Sequence, residues 1–219
     1  MSDYSGQVRV GGPADTRRLA ALEISKVAVG PMDNNAYVLR CRHTGDVLLI
    51  DAANEADRLL EVIPTGALRT IVTTHQHADH WQALAAVSEA TRARTVAHPL
   101  DAAALPVRPD RLVVDGDSVK VGESVLSVIH LRGHTPGSIA LAYDDPDGSV
   151  HLFTGDSLFP GGVGNTGGDA EAFARLINDV GLKLFAVLPD DTWVYPGHGA
   201  DTTIGTERPA LPEWRARGW

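Results

Sequence analysis

Short apolar runs separated by turn-forming residues dominate the hydrophobic pattern, and such a pattern predicts many short strands. Residues 34–41 and 47–51 flank a His-Thr-Gly-Asp turn and predict a β-hairpin. Residues 138–143 and 149–153 flank an aspartate-rich turn and predict a second hairpin. Longer segments with helical spacing lie at residues 55–63, 79–91 and 170–181.

The strands therefore fall into two runs, with helices between and after them. Two sheets packed face to face, with helices on their outer faces, satisfy this order, so we expect an α/β architecture. Residues 1–18 mix serine, glycine, proline and charge without a period, and we expect them to form a flexible arm. No linker-like segment divides the remainder, so we interpret residues 1–219 as a single domain.

Cysteine content and hydropathy indicate the cellular compartment of the protein. The only cysteine is Cys41, so no intrachain disulfide can form, and a reducing, cytoplasmic environment is the simpler interpretation. The first 14 residues contain no apolar stretch typical of a signal peptide. No apolar run approaches the ~20 residues that a membrane-spanning helix needs, so we expect no membrane association.

The formal charge is −9, from 28 acidic and 19 basic residues. An acidic chain of this kind is repelled by a phosphate backbone, so we expect no nucleic-acid partner. A local basic patch stays compatible with this balance.

The candidate chemistry begins directly after the apolar run at residues 68–72. His75 and His77 are two residues apart, so in an extended segment both side chains leave the same side of the backbone. Asp79 and His80 follow as the chain turns, and their side chains can converge on a second, adjacent point. Imidazole and carboxylate groups are ligands that borderline divalent metals such as zinc prefer. The motif therefore predicts ligands for two neighbouring metals.

Three later motifs share one layout, in which a strand ends, a glycine follows, and a side chain able to bind metal comes next. They place His134 after Gly133, Asp156 after Gly155 and His198 after Gly197. Loops at strand ends are where a rigid scaffold usually carries its chemistry. The chain has no Gly-x-Ser-x-Gly sequence that would indicate a serine nucleophile.

Together these motifs resemble the metallo-β-lactamase superfamily, and most closely its glyoxalase II-like (hydroxyacylglutathione hydrolase-like) branch. The resemblance runs from residue 34 to residue 206 and implies a four-layer αβ/βα sandwich, with the metal site at one edge of the two sheets. It also implies a divided ligand set, with His75, His77 and His134 for one metal, Asp79, His80 and His198 for the other, and Asp156 bridging both.

A metal-dependent hydrolase follows from this ligand set. Two divalent ions that share a carboxylate also share a water and lower its pKa towards neutrality, so the expected nucleophile is a bridging hydroxide. Asp79 is the expected catalytic residue, because it can accept a hydrogen bond from that hydroxide while it ligates a metal. Zinc is the expected metal, with iron or manganese as further candidates.

The leaving group narrows the substrate. A thiolate, with a thiol pKa of ~8.5, departs without a general acid, so a small-molecule acyl thioester is favoured over an ester or lactone. The loop at residues 157–166 lacks the cysteine-arginine pair of the family, which leaves the thiol carrier open. One alternative is a mononuclear iron persulfide dioxygenase-like enzyme that uses His75, His134 and Asp156. A β-lactamase ranks low, because Cys41 comes too early to be the cysteine ligand of such enzymes.

Overall fold

Two mixed β-sheets form the centre of the structure, a computed structural model that describes residues 4–218. The first sheet has seven strands whose spatial order follows the chain: β1 (Asp15–Arg18), β2 (Leu22–Val29), β3 (Asn34–Cys41), β4 (Val47–Ile50), β5 (Leu68–Val72), β6 (Arg94–Ala97) and β7 (Arg111–Leu112). The later strands are β8 (Ser118–Val121), β9 (Ser124–His130), β10 (Ile139–Asp144), β11 (Val150–Gly155), β12 (Leu158–Phe159), β13 (Gly162–Val163), β14 (Trp193–Pro196) and β15 (Thr202–Thr203). Six of them form the second sheet in the order β15-β14-β11-β10-β9-β8, and β12 pairs with β13 as a separate hairpin.

The strand directions bring several carboxyl ends to a common edge. Strands β4, β5 and β6 are parallel to one another, and β11 is parallel to β14. Both hairpins predicted from the sequence are confirmed, since β3 pairs antiparallel with β4, and β10 pairs antiparallel with β11. The loops that leave β5, β11 and β14 can therefore meet at one edge of the two packed sheets.

Helices cover the outer face of each sheet, at α1 (Ala56–Val62), α2 (Leu84–Thr91), α3 (Ala170–Asp179), α4 (Ile204–Glu207) and α5 (Leu211–Arg217), with a π-helical segment at Val180–Phe185. One apolar cluster fills the space between the sheets and includes Leu39 and Phe153. A second cluster joins α1 and α2 to the first sheet, and a third joins α3 and α5 to the second. This order of layers confirms the αβ/βα sandwich. No helix formed by residues 4–218 is both long and apolar enough to span a bilayer.

The helix expected over residues 79–91 is wrong in its first half. Residues Ala78–His80 form a single 3₁₀ turn, and α2 begins only at Leu84. The backbone amides of Gln82 and Ala83 donate instead to the carbonyls of Ala53 and Ala52, each at 3.0 Å. These contacts with the loop after β4 replace the hydrogen bonds that would have continued the helix.

The expectation of a loose arm also needs correction. Asp15–Arg18 form β1 and pair with β2, with Asp15 opposite Lys26. The carboxylate of Asp15 accepts hydrogen bonds from the backbone amides of Ser5 and Gly6, each at 2.9 Å, which ties the preceding segment to the sheet. Residues 1–3 of the expected arm lie outside the described part of the chain.

One ion pair fastens α3 to the turn after β9. The buried carboxylate of Asp179 accepts from Nε and Nη2 of Arg132 at 2.8 and 2.7 Å, and from the Arg132 backbone amide at 3.0 Å. Burial alone would raise the pKa of Asp179, but the hydrogen bonds from Arg132 outweigh it and lower that pKa below its ordinary value.

Replacing Asp179 by asparagine should lower the free energy of unfolding at pH 7 by about 1.5–3 kcal/mol, the usual contribution of hydrogen bonds to a charged group. Because the folded-state pKa is depressed, this contribution is present above the unfolded pKa of ~3.9 and is lost as the pH falls through the folded-state value. Urea unfolding at several pH values measures the difference between wild type and D179N. A difference that does not shrink below pH 4 would contradict the assignment.

Candidate metal centre

All seven predicted ligand side chains lie together at one edge of the two sheets. The first sheet supplies the loop after β5 and the 3₁₀ turn Ala78–His80, and the second supplies the turns after β9, β11 and β14. Three groups of side chains have ligand atoms within 4.8 Å of one another: His75, His77 and His134; His75, His80 and Asp156; and Asp79, His80 and His198. The tertiary structure thus gathers residues separated by more than a hundred positions.

Three histidines form the first group. Nε2 of His134 lies 2.9 Å from Nδ1 of His77 and 3.3 Å from Nε2 of His75. Nitrogens around a tetrahedral zinc ion with Zn–N distances of ~2.0–2.1 Å stand about 3.3 Å apart, so these rings are spaced as such ligands would be. Burial lowers the pKa of both His75 and His134, which favours the neutral imidazole that can bind a metal.

The second group combines one carboxylate and two rings. Oδ2 of Asp79 lies 3.3 Å from Nε2 of His198 and 3.5 Å from Nε2 of His80, and these two nitrogens are 3.2 Å apart. The side-chain amide of Asn34 donates to the same Oδ2 at 2.9 Å. Burial would raise the pKa of Asp79, but the bond from Asn34 and the nearby His80 ring lower it overall, so the carboxylate stays ionised.

Asp156 lies between the two groups. Its Oδ1 is 3.3 Å from Nε2 of His80, and its Oδ2 is 3.5 Å from Nε2 of His198 and 3.6 Å from Nε2 of His134. Burial would raise the pKa of Asp156, but the rings of His198 and His80 hold it well below its usual value. A carboxylate in this position can contribute one oxygen to each group.

The surroundings of the seven clustered side chains favour a positive charge. Oδ1 of Asp156 is buried and accepts no hydrogen bond of good geometry, which is unusual for a carboxylate oxygen inside a protein. Burial would lower the pKa of His80, but Asp156 and Asp51 raise it to about 10. Carboxylates that stabilise a proton on a buried ring also stabilise a metal cation in the same place. Together with the nitrogen and oxygen donor set, these features fit a borderline divalent metal.

Backbone carbonyls orient two of the rings. Nδ1–H of His134 donates to the carbonyl of Asn165 at 2.8 Å, and Nδ1–H of His198 donates to that of Met32 at 2.9 Å. A carbonyl only accepts, so the proton of each neutral ring lies on Nδ1 and the lone pair of Nε2 faces the cluster.

Asp51 orients the buried rings of His75 and His80. The sequence motifs did not identify this residue. Its Oδ2 lies 2.8 Å from Nδ1 of His80 and accepts from the hydroxyl of Thr74 at 2.8 Å, while its Oδ1 accepts from the Thr74 backbone amide at 2.7 Å. The Thr74 oxygen is then free to accept from Nδ1–H of His75 at 3.0 Å. Asp51 follows the end of β4 directly, so the strand-end layout used for the ligands could have identified it. Its φ of 57° is left-handed, a conformation that non-glycine residues adopt mainly where the surroundings require it.

A second carboxylate that the sequence did not reveal, Asp101, joins the loop after β5 to the turn after β9. It is 1% exposed and accepts from the backbone amide of Gln76 at 2.9 Å and from that of Gly137 at 2.7 Å. The hydroxyl of Thr135 also donates to it at 2.5 Å. Asp101 therefore fixes the loop of His75 relative to the turn after β9, and its position within a short irregular segment offers no sequence signal of this role.

Because Gly197 has no side chain, it leaves space for the side chains of His80 and Asp156. A Cβ atom there would lie 2.7 Å from Cε1 of His80 and closer still to Oδ1 of Asp156, although the φ of Gly197 is not positive. We expect Gly197→Ala to weaken zinc binding about 10-fold by displacing these side chains, an effect of the size seen when groups supporting a metal ligand are altered. Zinc titration against a chromophoric chelator measures it. Gly162→Ala is the matched control, because among residues 4–218 its Cβ would meet only the end of the Arg217 side chain, at 3.6 Å. Equal affinities for the two variants would contradict the prediction.

The sequence profile of the Metallo-beta-lactamase superfamily matches residues 29–203, a range that contains the whole cluster. A curated relative, the hydroxyacylglutathione hydrolase of Polaromonas sp. (strain JS666 / ATCC BAA-500), is 37% identical over 169 residues. The match covers 75% of this chain and 62% of the relative, so the chain spans less than two thirds of that protein's length.

Two solved structures are similar over most of the chain. ETHE1 from Myxococcus xanthus is 30% identical with a TM-score of 0.73, and the match covers 88% of this chain and 84% of that one. TTHA1623, crystallised in a di-iron-bound form, is 33% identical with a TM-score of 0.68 and coverages of 84% and 96%.

Proposed function

The chain belongs to the Metallo-beta-lactamase superfamily, and from this membership we propose that it is a two-metal hydrolase that cleaves a small-molecule thioester. The observation that carries the proposal is the position of Asp156 between two three-residue groups, with one buried oxygen that lacks a hydrogen-bond donor. The similarity to the hydroxyacylglutathione hydrolase of Polaromonas supports the substrate class, and the similarity to a di-iron-bound protein supports two ions.

We assign His75, His77 and His134 to one ion, Asp79, His80 and His198 to the other, and Asp156 to both. Zinc suits this mixture of nitrogen and oxygen donors, and iron or manganese is compatible with it. When bound, two such ions supply a water of lowered pKa and a positive charge that polarises a carbonyl.

Asp79 has the role of orienting the attacking water. Its pKa is lowered, so at neutral pH it can only accept hydrogen bonds, and Asn34 already occupies one lone pair of Oδ2. The remaining acceptor sites can take a proton of the water and fix the direction of its lone pair. The Asn34 contact therefore contributes to catalysis by holding Asp79 in one rotamer.

The hydrogen bonds of the histidine ring nitrogens favour a thioester as the substrate. Four of the five histidines in the cluster use Nδ1 for a protein partner and face the cluster with Nε2, so none of these four is available as a general acid. An amine leaving group needs such an acid, whereas a thiolate, with a thiol pKa of ~8.5, does not. Esters and lactones are second in this order.

A substrate comparison tests the proposal. Protein loaded with zinc, and separately with iron or manganese, is assayed with S-lactoylglutathione, other acyl thioesters, lactones and a chromogenic β-lactam. We expect the highest kcat/KM for a thioester and no turnover after removal of the metal. Turnover of lactones or β-lactams without turnover of any thioester would overturn the thioester assignment.

The second candidate is a one-iron oxygenase acting on a persulfide, and the similarity to ETHE1 from Myxococcus xanthus is the observation that favours it. In this version a single iron is held by His75, His134 and Asp156. Elemental analysis separates the two candidates, because the hydrolase should hold about two ions per chain and the oxygenase one iron. Oxygen consumption with glutathione persulfide is a second measurement that only the oxygenase should pass.

We further propose a cytoplasmic location and small-molecule substrates only. The lone Cys41 is buried and unpaired, as suits a reducing compartment, and the charge of −9 disfavours nucleic acid. Cell fractionation with a tagged chain tests the location, and recovery of the protein in a membrane or secreted fraction would contradict it.

A further inference from the structure

Lys26 is fully buried in the middle of β2, an unusual place for a lysine. Its Nζ donates to Oδ1 of Asp201 at 2.6 Å, to the carbonyl of Gly199 at 2.7 Å and to the carbonyl of Gly6 at 2.9 Å. An ammonium group has three donors, so every one of them has an acceptor. The three acceptors come from two segments that are remote from β2 in the sequence.

Two of these acceptors belong to the segment that directly follows His198. The side chain of Asn35 donates to the same Gly199 carbonyl at 3.0 Å, and the Asn35 backbone amide donates to the carbonyl of Gly197 at 2.7 Å. Groups on β2 and β3 of the first sheet therefore hold the backbone on both sides of His198, which is carried by the second sheet. The position of the His198 ring relative to Asp79 and His80 depends on this cross-sheet attachment.

The partner carboxylate is fully engaged as well. Oδ2 of Asp201 accepts from the hydroxyl of Tyr4 at 2.6 Å and from Nε1 of Trp193 at 2.9 Å, so residues near the start of the described chain close over the pair. Buried ion pairs contribute little net stability compared with apolar residues of the same size, because desolvation offsets the attraction. Their directional bonds nevertheless fix geometry. A contribution to stability alone therefore does not explain why a lysine on β2 is bonded to Gly6 and to the segment after His198.

We propose that Lys26 is a positioning residue for the second metal ion, acting through the Gly199 carbonyl and Asp201 to fix where His198 presents Nε2. This inference rests on the proposed function only in taking His198 as a ligand. The ammonium group donates its three hydrogens to acceptors outside the seven cluster residues, and its effect passes through the loop that follows β14.

Two variants separate positioning from stability. Lys26→Met leaves Asp201 buried without its cation, so it should lower the thermal unfolding temperature and weaken metal binding together. The double variant K26M/D201L removes both charges and should recover part of the lost thermal stability, since apolar pairs replace buried ion pairs with little loss, while Tyr4 and Trp193 lose the acceptor that Asp201 gave them. In the double variant the Gly199 carbonyl keeps the Asn35 amide but still lacks the Lys26 ammonium, so metal binding should stay impaired.

The readout is the zinc affinity of the most weakly held equivalent, measured by chelator competition, with the absorption spectrum of the cobalt-substituted protein as a second signature. We expect a loss of about 10- to 100-fold in K26M/D201L, the range for residues that support a metal ligand, together with altered cobalt bands. Wild-type affinity and an unchanged spectrum in the double variant would overturn the proposal.

Asp145→Asn is the matched control. Asp145 is also buried and accepts from the backbone amides of Ala20 and Ala21 and from the hydroxyl of Tyr143. It lies in the β10–β11 turn, at the opposite end of β11 from Asp156. The variant should lose thermal stability and keep its zinc affinity, and a loss of affinity there equal to that of K26M/D201L would also overturn the proposal. These measurements need no substrate, so they test the role of Lys26 even if the protein hydrolyses no thioester.

Discussion

Asp156→Asn should lower kcat/KM for the preferred thioester by at least ~10³-fold, which corresponds to about 4 kcal/mol of transition-state stabilisation. Asp156 lies near Nε2 of His80, His134 and His198 alike. An asparagine of the same shape supplies one neutral oxygen and one amide group that cannot bind a cation. The variant should therefore lose at least one of two metal equivalents.

Steady-state kinetics and elemental analysis of the same preparations check this result. Asp147→Asn, at an exposed carboxylate in the β10–β11 turn that accepts from the backbone amide and hydroxyl of Ser149, is the control and should behave as wild type. The metal-free variant should be less stable at pH 7 than the metal-free wild type, because the ionised Asp156 is stabilised by the rings of His198 and His80 and asparagine removes that attraction. Full metal content with near wild-type turnover in D156N would refute the bridging role.

Asp51→Asn should weaken zinc binding by up to about 100-fold and lower the free energy of unfolding by about 1–3 kcal/mol. If the new amide faces His80, Nδ1 of that ring must become an acceptor, which moves the ring proton to Nε2 on the side of the cluster. If the amide is reversed, it faces the backbone N–H of Thr74, and two buried donors oppose each other. Neither orientation preserves both contacts of the carboxylate.

Zinc competition and urea unfolding of the metal-free protein measure the two parts separately. Thr74→Ser is the control, because serine keeps a hydroxyl that can donate to Asp51 and accept from His75. We expect that variant to retain zinc affinity within a few-fold. Wild-type zinc affinity in D51N would show that Asp51 supports only the fold, and the tautomer argument would then be wrong.

The clustering of the seven side chains was predictable because each of them carries a local signal. His75, His77, Asp79 and His80 stand close together in one motif, and each of the other three follows a glycine at a strand end. Asp51 shares with them only its position at a strand end, without the glycine, and Asp101 carries no such signal. A single carboxylate after a strand or in a loop is common in any protein, and only its buried contacts distinguish it.

The error over residues 79–91 has a specific physical cause. Local spacing favours a helix throughout that segment, and the amides of Gln82 and Ala83 would ordinarily bond within it. In the folded chain the carbonyls of Ala52 and Ala53 lie within reach and take those amides. That competition is tertiary, so no local pattern could predict it. It also keeps His80 on a tight 3₁₀ turn, where its ring faces both Asp51 and Asp156.

Periodicity, turn residues and the glycine-flanked motifs were enough to determine the two hairpins, the layered architecture and the identity of the seven clustered side chains. These features depend on neighbours a few positions apart, which is the range over which a sequence pattern carries physical information. The tertiary structure alone decided which nitrogen of each ring faces the cluster, and it alone placed Lys26 beneath the loop of His198. Both depend on hydrogen bonds between segments that are distant in the chain, and those partners become neighbours only when the two sheets have packed.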